Sequence, residues 1–416
     1  MILSLPATKA GLTAYGRLPN WHFAMHRLTS HCFTNLHLPL VFILISLCYT
    51  STQAQPPRGP LVTSPQVLPD KKVTFRYLAP QAKDVRLSAQ FERAPLPMVR
   101  DSLGIWSITV GPVKPDIYPY NFIVDGISVM DPGNKDYFPN ERFKGSLLEV
   151  PGFTPILSEV RNVPHGSVNY DYYPSVQGTT GSLVVYTPPG YDNDVAKQFP
   201  VFYLISGTTD TEETWFKVGK TNLILDNLIA EGLALPMIVV MPYGNMEARV
   251  AEQKGGLKPA DPMGRESNDA LARAAAFEQD LINNVIPFID KKYRTMPQKN
   301  SRAIGGFSRG GGQTLRTAFG NMDKFGYICC YSAYLSQQEM ESRYPAIINN
   351  PAQTNAALKL LWISVGNEDF LYPQTAVFMN YLHSKKVNFK SLVTGGGHTW
   401  MNTRVYLAET AKLLFR

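Results

Sequence analysis

The segment Arg302-Ala303-Ile304-Gly305-Gly306-Phe307-Ser308-Arg309-Gly310-Gly311-Gly312 constrains this chain more than any other. It sets Gly-x-Ser-x-Gly at Gly306, Ser308 and Gly310, after a short apolar run and before a stretch that can stay helical to Gly320. A serine on a sharp strand-to-helix turn needs glycine neighbours, because flanking side chains would collide there. The turn lifts the hydroxyl clear of the backbone, and the helix N-terminus beneath it favours developing negative charge. The pattern predicts a sheet flanked by helices, with Ser308 as a nucleophile at the carboxyl end of one strand.

The first 54 residues read as a leader. Leu38 to Cys48 is an apolar run, preceded by Arg27 and followed by Ser51-Thr52-Gln53-Ala54, the layout of a secretory signal peptide cleaved after Ala54. Met25 is an alternative start to Met1. The run is too short to span a bilayer comfortably, so a secreted or periplasmic protein without a stable membrane anchor is expected. Leu47 is too large for a lipidation site at Cys48. Of 40 basic residues the leader takes Lys9, Arg17 and Arg27, and it takes none of the 33 acidic ones, so the formal charge falls from +7 to +4. No basic run remains, and nucleic acid is not an expected partner. Cys32 and Cys48 leave with the leader; Cys329 and Cys330 lie in an apolar run and read as small core residues.

Two architectures follow. From Val73 to Val124 apolar residues recur with period two, at Val73, Phe75 and Tyr77, at Trp106, Ile108 and Val110, and from Tyr118 to Val124. That describes a small antiparallel β-sandwich over residues 62–150. Pro151 to Pro164 is a connector. Over residues 163–416 short apolar runs (Leu183–Tyr186, Val201–Ile205, Met237–Met241, Tyr327–Tyr331, Leu360–Val365, Phe389–Val393) alternate with helical stretches near Thr221–Glu231, Leu271–Lys292, Tyr372–Lys385 and Thr403–Leu414. This is the grammar of an α/β fold with a largely parallel sheet. The polar stretch Asn245–Asn268 is expected to be a loop.

A serine hydroxyl needs a base. After the leader the chain has three histidines. His165 sits at the domain junction and His383 at a helix end beside Lys385 and Lys386. His398, in Gly395-Gly396-Gly397-His398-Thr399-Trp400, lies in a loop after a strand and before the last helix. An α/β-hydrolase places its base there, in the chain order serine, acid, histidine. Asp369 is the expected acid, with Glu368 the neighbouring alternative. The oxyanion donors are expected to be the backbone amides of Arg309 and, in the loop Ser206-Gly207-Thr208-Thr209-Asp210, of Thr208. The Arg309 side chain either meets substrate or, as preferred, pairs with an acid such as Asp210. Trp400, Tyr137 and Phe138 are candidate substrate contacts, whereas Trp106 and Tyr120 fall on the inward face of the sandwich. No metal cluster, phosphate loop or dinucleotide fingerprint is present in the sequence, so no cofactor is expected.

These motifs carry a resemblance. Val184-Val185-Tyr186-Thr187-Pro188-Pro189-Gly190-Tyr191, Asn222 to Gly232, Phe277-Glu278-Gln279-Asp280-Leu281, Gly305–Gln313, Gly366–Asp369 and Gly396-Gly397-His398-Thr399-Trp400 resemble the esterase D superfamily, specifically family 1 carbohydrate esterases. Residues 62–150, through Trp106 to Asn134, resemble the early-set immunoglobulin-like modules grouped with glycogen-binding family 48. The resemblance implies an α/β-hydrolase with the triad Ser308, Asp369 and His398, removing feruloyl or acetyl groups from plant polysaccharide through an acyl-enzyme. Hydrolysis of siderophore or other small esters is the alternative. A non-catalytic carbohydrate-binding protein on a degenerate scaffold is a third reading. Ser206-Gly207-Thr208-Thr209 replaces the usual His-Gly-Gly-Gly, and Arg309 replaces an uncharged residue. The acyl group, the sugar and the oligomeric state are not specified by the sequence.

Overall fold

The alternating run builds two antiparallel sheets in a computed structural model that describes residues 62–152, 156–255 and 269–416; the leader lies outside the described residues. One sheet runs in the order Gln66–Val67, Val73–Leu78, Ile105–Val110, Val99–Arg100; the other runs Leu96–Pro97, Val85–Ala89, Asp116–Val124, Lys144–Val150, Tyr137–Pro139. Every second residue turns inward, so Phe75, Leu87, Trp106, Tyr120 and Phe122 share one core. Trp106 and Tyr120 are 8% and 2% exposed, as their phase implies. Their polar atoms are satisfied: Trp106 Nε1 donates to Ala79 O at 2.9 Å and the Tyr120 hydroxyl to Asp131 at 2.7 Å.

The second architecture is one eight-stranded sheet. Its strands are β1 (Ser167–Pro174), β2 (Thr180–Thr187), β3 (Val201–Ile205), β4 (Ile238–Pro242), β5 (Arg302–Phe307), β6 (Tyr327–Tyr331), β7 (Leu360–Gly366) and β8 (Lys390–Thr394), in the order β1-β2-β4-β3-β5-β6-β7-β8. The pairings β1–β2 and β2–β4 are antiparallel and the others parallel. Parallel strands covered on both faces must be apolar throughout. All five residues of β3 are accordingly buried, Tyr203 and Ile205 in one core cluster and Phe202 and Leu204 in the other. Cys329 and Cys330, adjacent in β6, divide the same way and are unpaired core residues. The chain has an α/β-hydrolase fold preceded by an antiparallel β region. Val62 to Arg416 pack as one compact unit.

Among the segments that depart from the sequence reading, two hide charge in the interior. Met246–Lys254, expected as loop, is a helix capped by the Asn245 side chain at its start and by Gly255, φ 73°, at its end. Its buried residues are Met246, Ala248 and Arg249, the last 3% exposed and 3.3 Å from Asp280, so the helix lacks the continuous apolar stripe that periodicity detects. Residues 256–268 of the expected loop lie outside the described residues. Strand β1 was unanticipated because Asp171, one of its inward positions, is polar; it is held by Lys292 and by the Tyr293 hydroxyl at 2.6 Å.

Arg404, on the last helix Trp400–Ala411, ties the two architectures together. Its guanidinium donates twice to Val218 O, at 2.9 and 2.7 Å, and to Glu149 of the sandwich at 2.6 Å. Charge-assisted bonds of this kind contribute about 1.5–3 kcal/mol each before the partner's desolvation is counted. Arg404→Met should therefore lower the unfolding free energy by about 2 kcal/mol in a denaturant titration; an unchanged midpoint would contradict this role.

Candidate active site

Strand β5 ends at Phe307, the helix Arg309–Gly320 begins one residue later, and Ser308 makes the turn with φ 58° and ψ −120°. A Cβ at Gly306 would lie 2.4 Å from Gly310 O, and one at Gly310 would lie 2.4 Å from Ile205 O. The glycines are thus required by close approach of three backbone segments. Ser308 N donates to Tyr331 O at 2.9 Å, which fixes the turn to the neighbouring strand.

Asp369 follows β7 and His398 follows β8. His398 Nδ1 lies 2.8 Å from Asp369 Oδ2, and Asp369 Oδ1 accepts the Leu371 amide at 2.8 Å. Burial pushes the Asp369 carboxyl up, but the hydrogen bond and charge of His398, helped by Leu371 and Ser332, outweigh it and hold it below its ordinary value. An ionised Asp369 accepts the Nδ1 proton and leaves Nε2 as the basic nitrogen. The loop is shaped by Asn402, whose side chain donates to Gly395 O and Gly397 O, both at 3.0 Å. Glu368 instead forms an exposed ion pair with Lys114 at 2.8 Å. His165 hydrogen-bonds Asp226 at 2.9 Å, and His383 is exposed at a helix end. His398 and Ser308 line one cavity.

The sequence reading missed what holds the imidazole. The ring packs against Phe307, stacked at 4.5 Å and 30°, and against Phe370, tilted at 4.6 Å. Phe307 had a detectable position beside Ser308; Phe370, 61% exposed, follows Asp369 directly but no periodic pattern marks it.

Thr208 borders cavities on which Ser308 also opens. The Gly207 amide is committed to Asp210 Oδ2 at 3.1 Å, whereas the Arg309 amide, first in its helix, has no intrahelical partner. The expected pairing of Arg309 with Asp210 is not made. Arg309 Nη2 donates to Gly207 O at 3.2 Å, because Asp210 is turned back onto its own loop. Burial pushes the Asp210 carboxyl up to about 7, opposed by the charge of Arg309 and by bonds from Gly207 and Asn140. The sandwich braces this loop: Asn140 Nδ2 donates to Thr209 Oγ1 at 2.9 Å and Glu141 N to Thr209 O at 2.8 Å.

The shared cavity has a volume of about 480 Å³. Trp400 lines it while packing edge-on against Trp215 at 5.0 Å and Phe307 at 5.4 Å. Phe138 also lines it, but is 8% exposed and stacked on Phe143, so the exposed aromatics there are Phe143 and Phe370. Tyr137 is not in this cavity. Neighbours in a strand face opposite ways, and Tyr137 lies with Lys217 and Lys220 in a separate depression, 3.4 Å from Glu213.

Gly310→Ala should cost about 3 kcal/mol, since the new methyl group meets backbone carbonyls that cannot rotate away; thermal denaturation gives the check. Asp210 supplies a pH test. Its folded value, about 7, exceeds the ordinary 3.8, so the folded state binds the proton more tightly. Its contribution is therefore fullest below about pH 4 and is lost as pH rises toward 7, at up to roughly 1.4 kcal/mol per unit. Asp210→Asn removes that slope, so the variant should gain on the wild type between pH 4 and 7.5 in denaturant titrations. A constant difference across that range would contradict the assignment.

Known proteins bear on this geometry. The Esterase family model matches residues 177–406, more than half of the chain. An endo-1,4-beta-xylanase/feruloyl esterase of Xylanibacter ruminicola is 30% identical over 362 residues, 85% of this chain and 46% of that protein. The chain thus spans less than half the length of that relative. Among solved structures, a feruloyl esterase module from Clostridium thermocellum complexed with sinapinate is similar at TM-score 0.52 and 24% identity, over 68% of this chain and 95% of that one. The enterobactin esterase of Shigella flexneri is similar at TM-score 0.58 and 16% identity, over 84% and 95%. These two likenesses are of fold. With the family model covering most of the sheet and the elbow within it, this chain belongs to the Esterase family.

Proposed function

We propose that this protein is an exported serine carboxylic-ester hydrolase that removes feruloyl or acetyl groups from xylan-type plant polysaccharide. The observation that carries the reading is that His398, hydrogen-bonded to the buried Asp369, lines the same cavity as the elbow serine. His398 Nε2 takes the proton of Ser308 as Oγ attacks the ester carbonyl, and Asp369 stabilises the imidazolium without taking the proton. The tetrahedral oxyanion rests on the amides of Arg309 and Thr208. His398 then protonates the leaving sugar alcohol, and water resolves the acyl-enzyme by the reverse sequence. The apolar walls at Phe138, Phe143 and Trp400 suit an aromatic acyl group. The relative named as a xylanase/feruloyl esterase supports the polysaccharide assignment. The leader in residues 1–54 supports export. The family 48-like β-sandwich contributes cavity wall rather than a separate stacking platform in this reading, since Trp106 and Tyr120 face its core.

Turnover of methyl ferulate, acetylated xylan and a catecholate triester should be compared. Wild type should hydrolyse the first or second with the highest kcat/KM, and Ser308→Ala should lose at least about 10⁴-fold in kcat while keeping its Tm. Preference for the triester would move the assignment to small esters. Full retention by Ser308→Ala, or no labelling of wild type by a fluorophosphonate, would refute the mechanism.

A further inference from the structure

A second cavity, of about 230 Å³, adjoins Ser308 and is not lined by His398. Among the described residues its charged lining consists of Arg273, Arg309 and Arg316, with no carboxylate. The acids that balance these groups, Glu141 and Asp210 for Arg309 among them, are not part of that lining. Arg316 is held by Glu339 through Nε and Nη2, at 2.6 and 2.9 Å. Arg273 Nη1 is 3.8 Å from Glu247, beyond hydrogen-bond distance. Arg309 gives Nη2 to Gly207 O, and its buried Nε has no partner among the described residues. Guanidinium groups lining a concave, partly open site raise the local potential more than they would on a flat surface. Their planar fork of donors matches a carboxylate. Nothing in the hydrolytic steps requires three cations here: the oxyanion is met by backbone amides.

We propose that this cavity is a carboxylate subsite, in which Arg273 and Arg309 bind an anionic group carried by the ester substrate close to the scissile bond. The inference rests on the ester-hydrolase reading and adds the substrate class: acidic esters. The carboxylate belongs either to the alcohol half, as in a uronic acid, or to the acyl half, as in a hemiester of a dicarboxylic acid.

Two matched pairs separate these sources. For the acyl half, 4-nitrophenyl hydrogen succinate is compared with 4-nitrophenyl butyrate; for the alcohol half, 3-acetoxybenzoate with its methyl ester. Wild type should prefer the anionic member of at least one pair by roughly tenfold in kcat/KM, mainly through KM. The ratio should fall at least fivefold in Arg273→Gln, and again at about 0.5 M salt. Arg309→Gln should lower it too, but that side chain also steadies the Ser206–Asp210 loop, so Arg273→Gln decides. Equal or better turnover of the neutral member in both pairs, or a preference that survives Arg273→Gln, would overturn the subsite. If no ester is turned over, the ester-hydrolase reading fails, and calorimetric titration with succinate and 3-hydroxybenzoate still decides this one. Binding of either acid that weakens in Arg273→Gln supports the subsite; binding of neither overturns it.

Discussion

Three backbone segments meet beside Ser308 at distances that admit no side chain, and the rest of the site is built around that contact. The end of β3, the end of β5 and the first turn of the helix after Ser308 approach so closely that a methyl group at Gly306 or Gly310 would overlap a carbonyl. Ser308 itself takes a positive φ, a conformation that costs a non-glycine residue about 1–3 kcal/mol and persists only when its surroundings enforce it. Here they do, through the bond from Ser308 N to Tyr331 O and the packing of Gly311 against Ala333. Because Gly310 lies against the carbonyls of Ile205 and Ser206, the serine and the loop Ser206–Asp210 cannot shift independently.

Electrostatics and aromatic packing then complete the constellation. The imidazole of His398 has its tautomer set by Asp369 and its plane set by Phe307 and Phe370, so two kinds of force fix one ring. The loop opposite is held from two directions: from within by Asp210, and from the sandwich by Asn140 and Glu141. Desolvation of Asp210 is tolerated because Arg309 is near and the Gly207 amide is bonded to it. The antiparallel region is therefore structural support for the candidate site.

Much of this was legible residue by residue. Seven of the eight strands of the main sheet announced themselves as apolar runs, β5 as the run before Ser308; the interior ones do so because a strand buried on both faces has no room for alternation. Ser308, Asp369 and His398 were legible because glycine marks the turns that carry two of them and a strand end marks the third. Met246–Lys254 was not legible, since its buried face includes a charged arginine, Arg249, whose partner, Asp280, is distant in sequence. Tyr137 and Phe138 could not be separated either: adjacent residues in a strand face opposite ways, and only the packing of that strand on the helix Thr214–Lys217 decides which side borders the cavity.

The chain alone determined the order of elements, the elbow and the order of the candidate residues Ser308, Asp369 and His398, because these follow from local sterics and periodicity. Tertiary structure decided who meets whom. It gave Arg309 a carbonyl in place of the expected carboxylate, placed Phe370 against the imidazole, and brought Asn140 to the loop of β3 across 69 residues of sequence. Such contacts depend on long-range packing and on where desolvated charge finds a partner, quantities that no local pattern encodes.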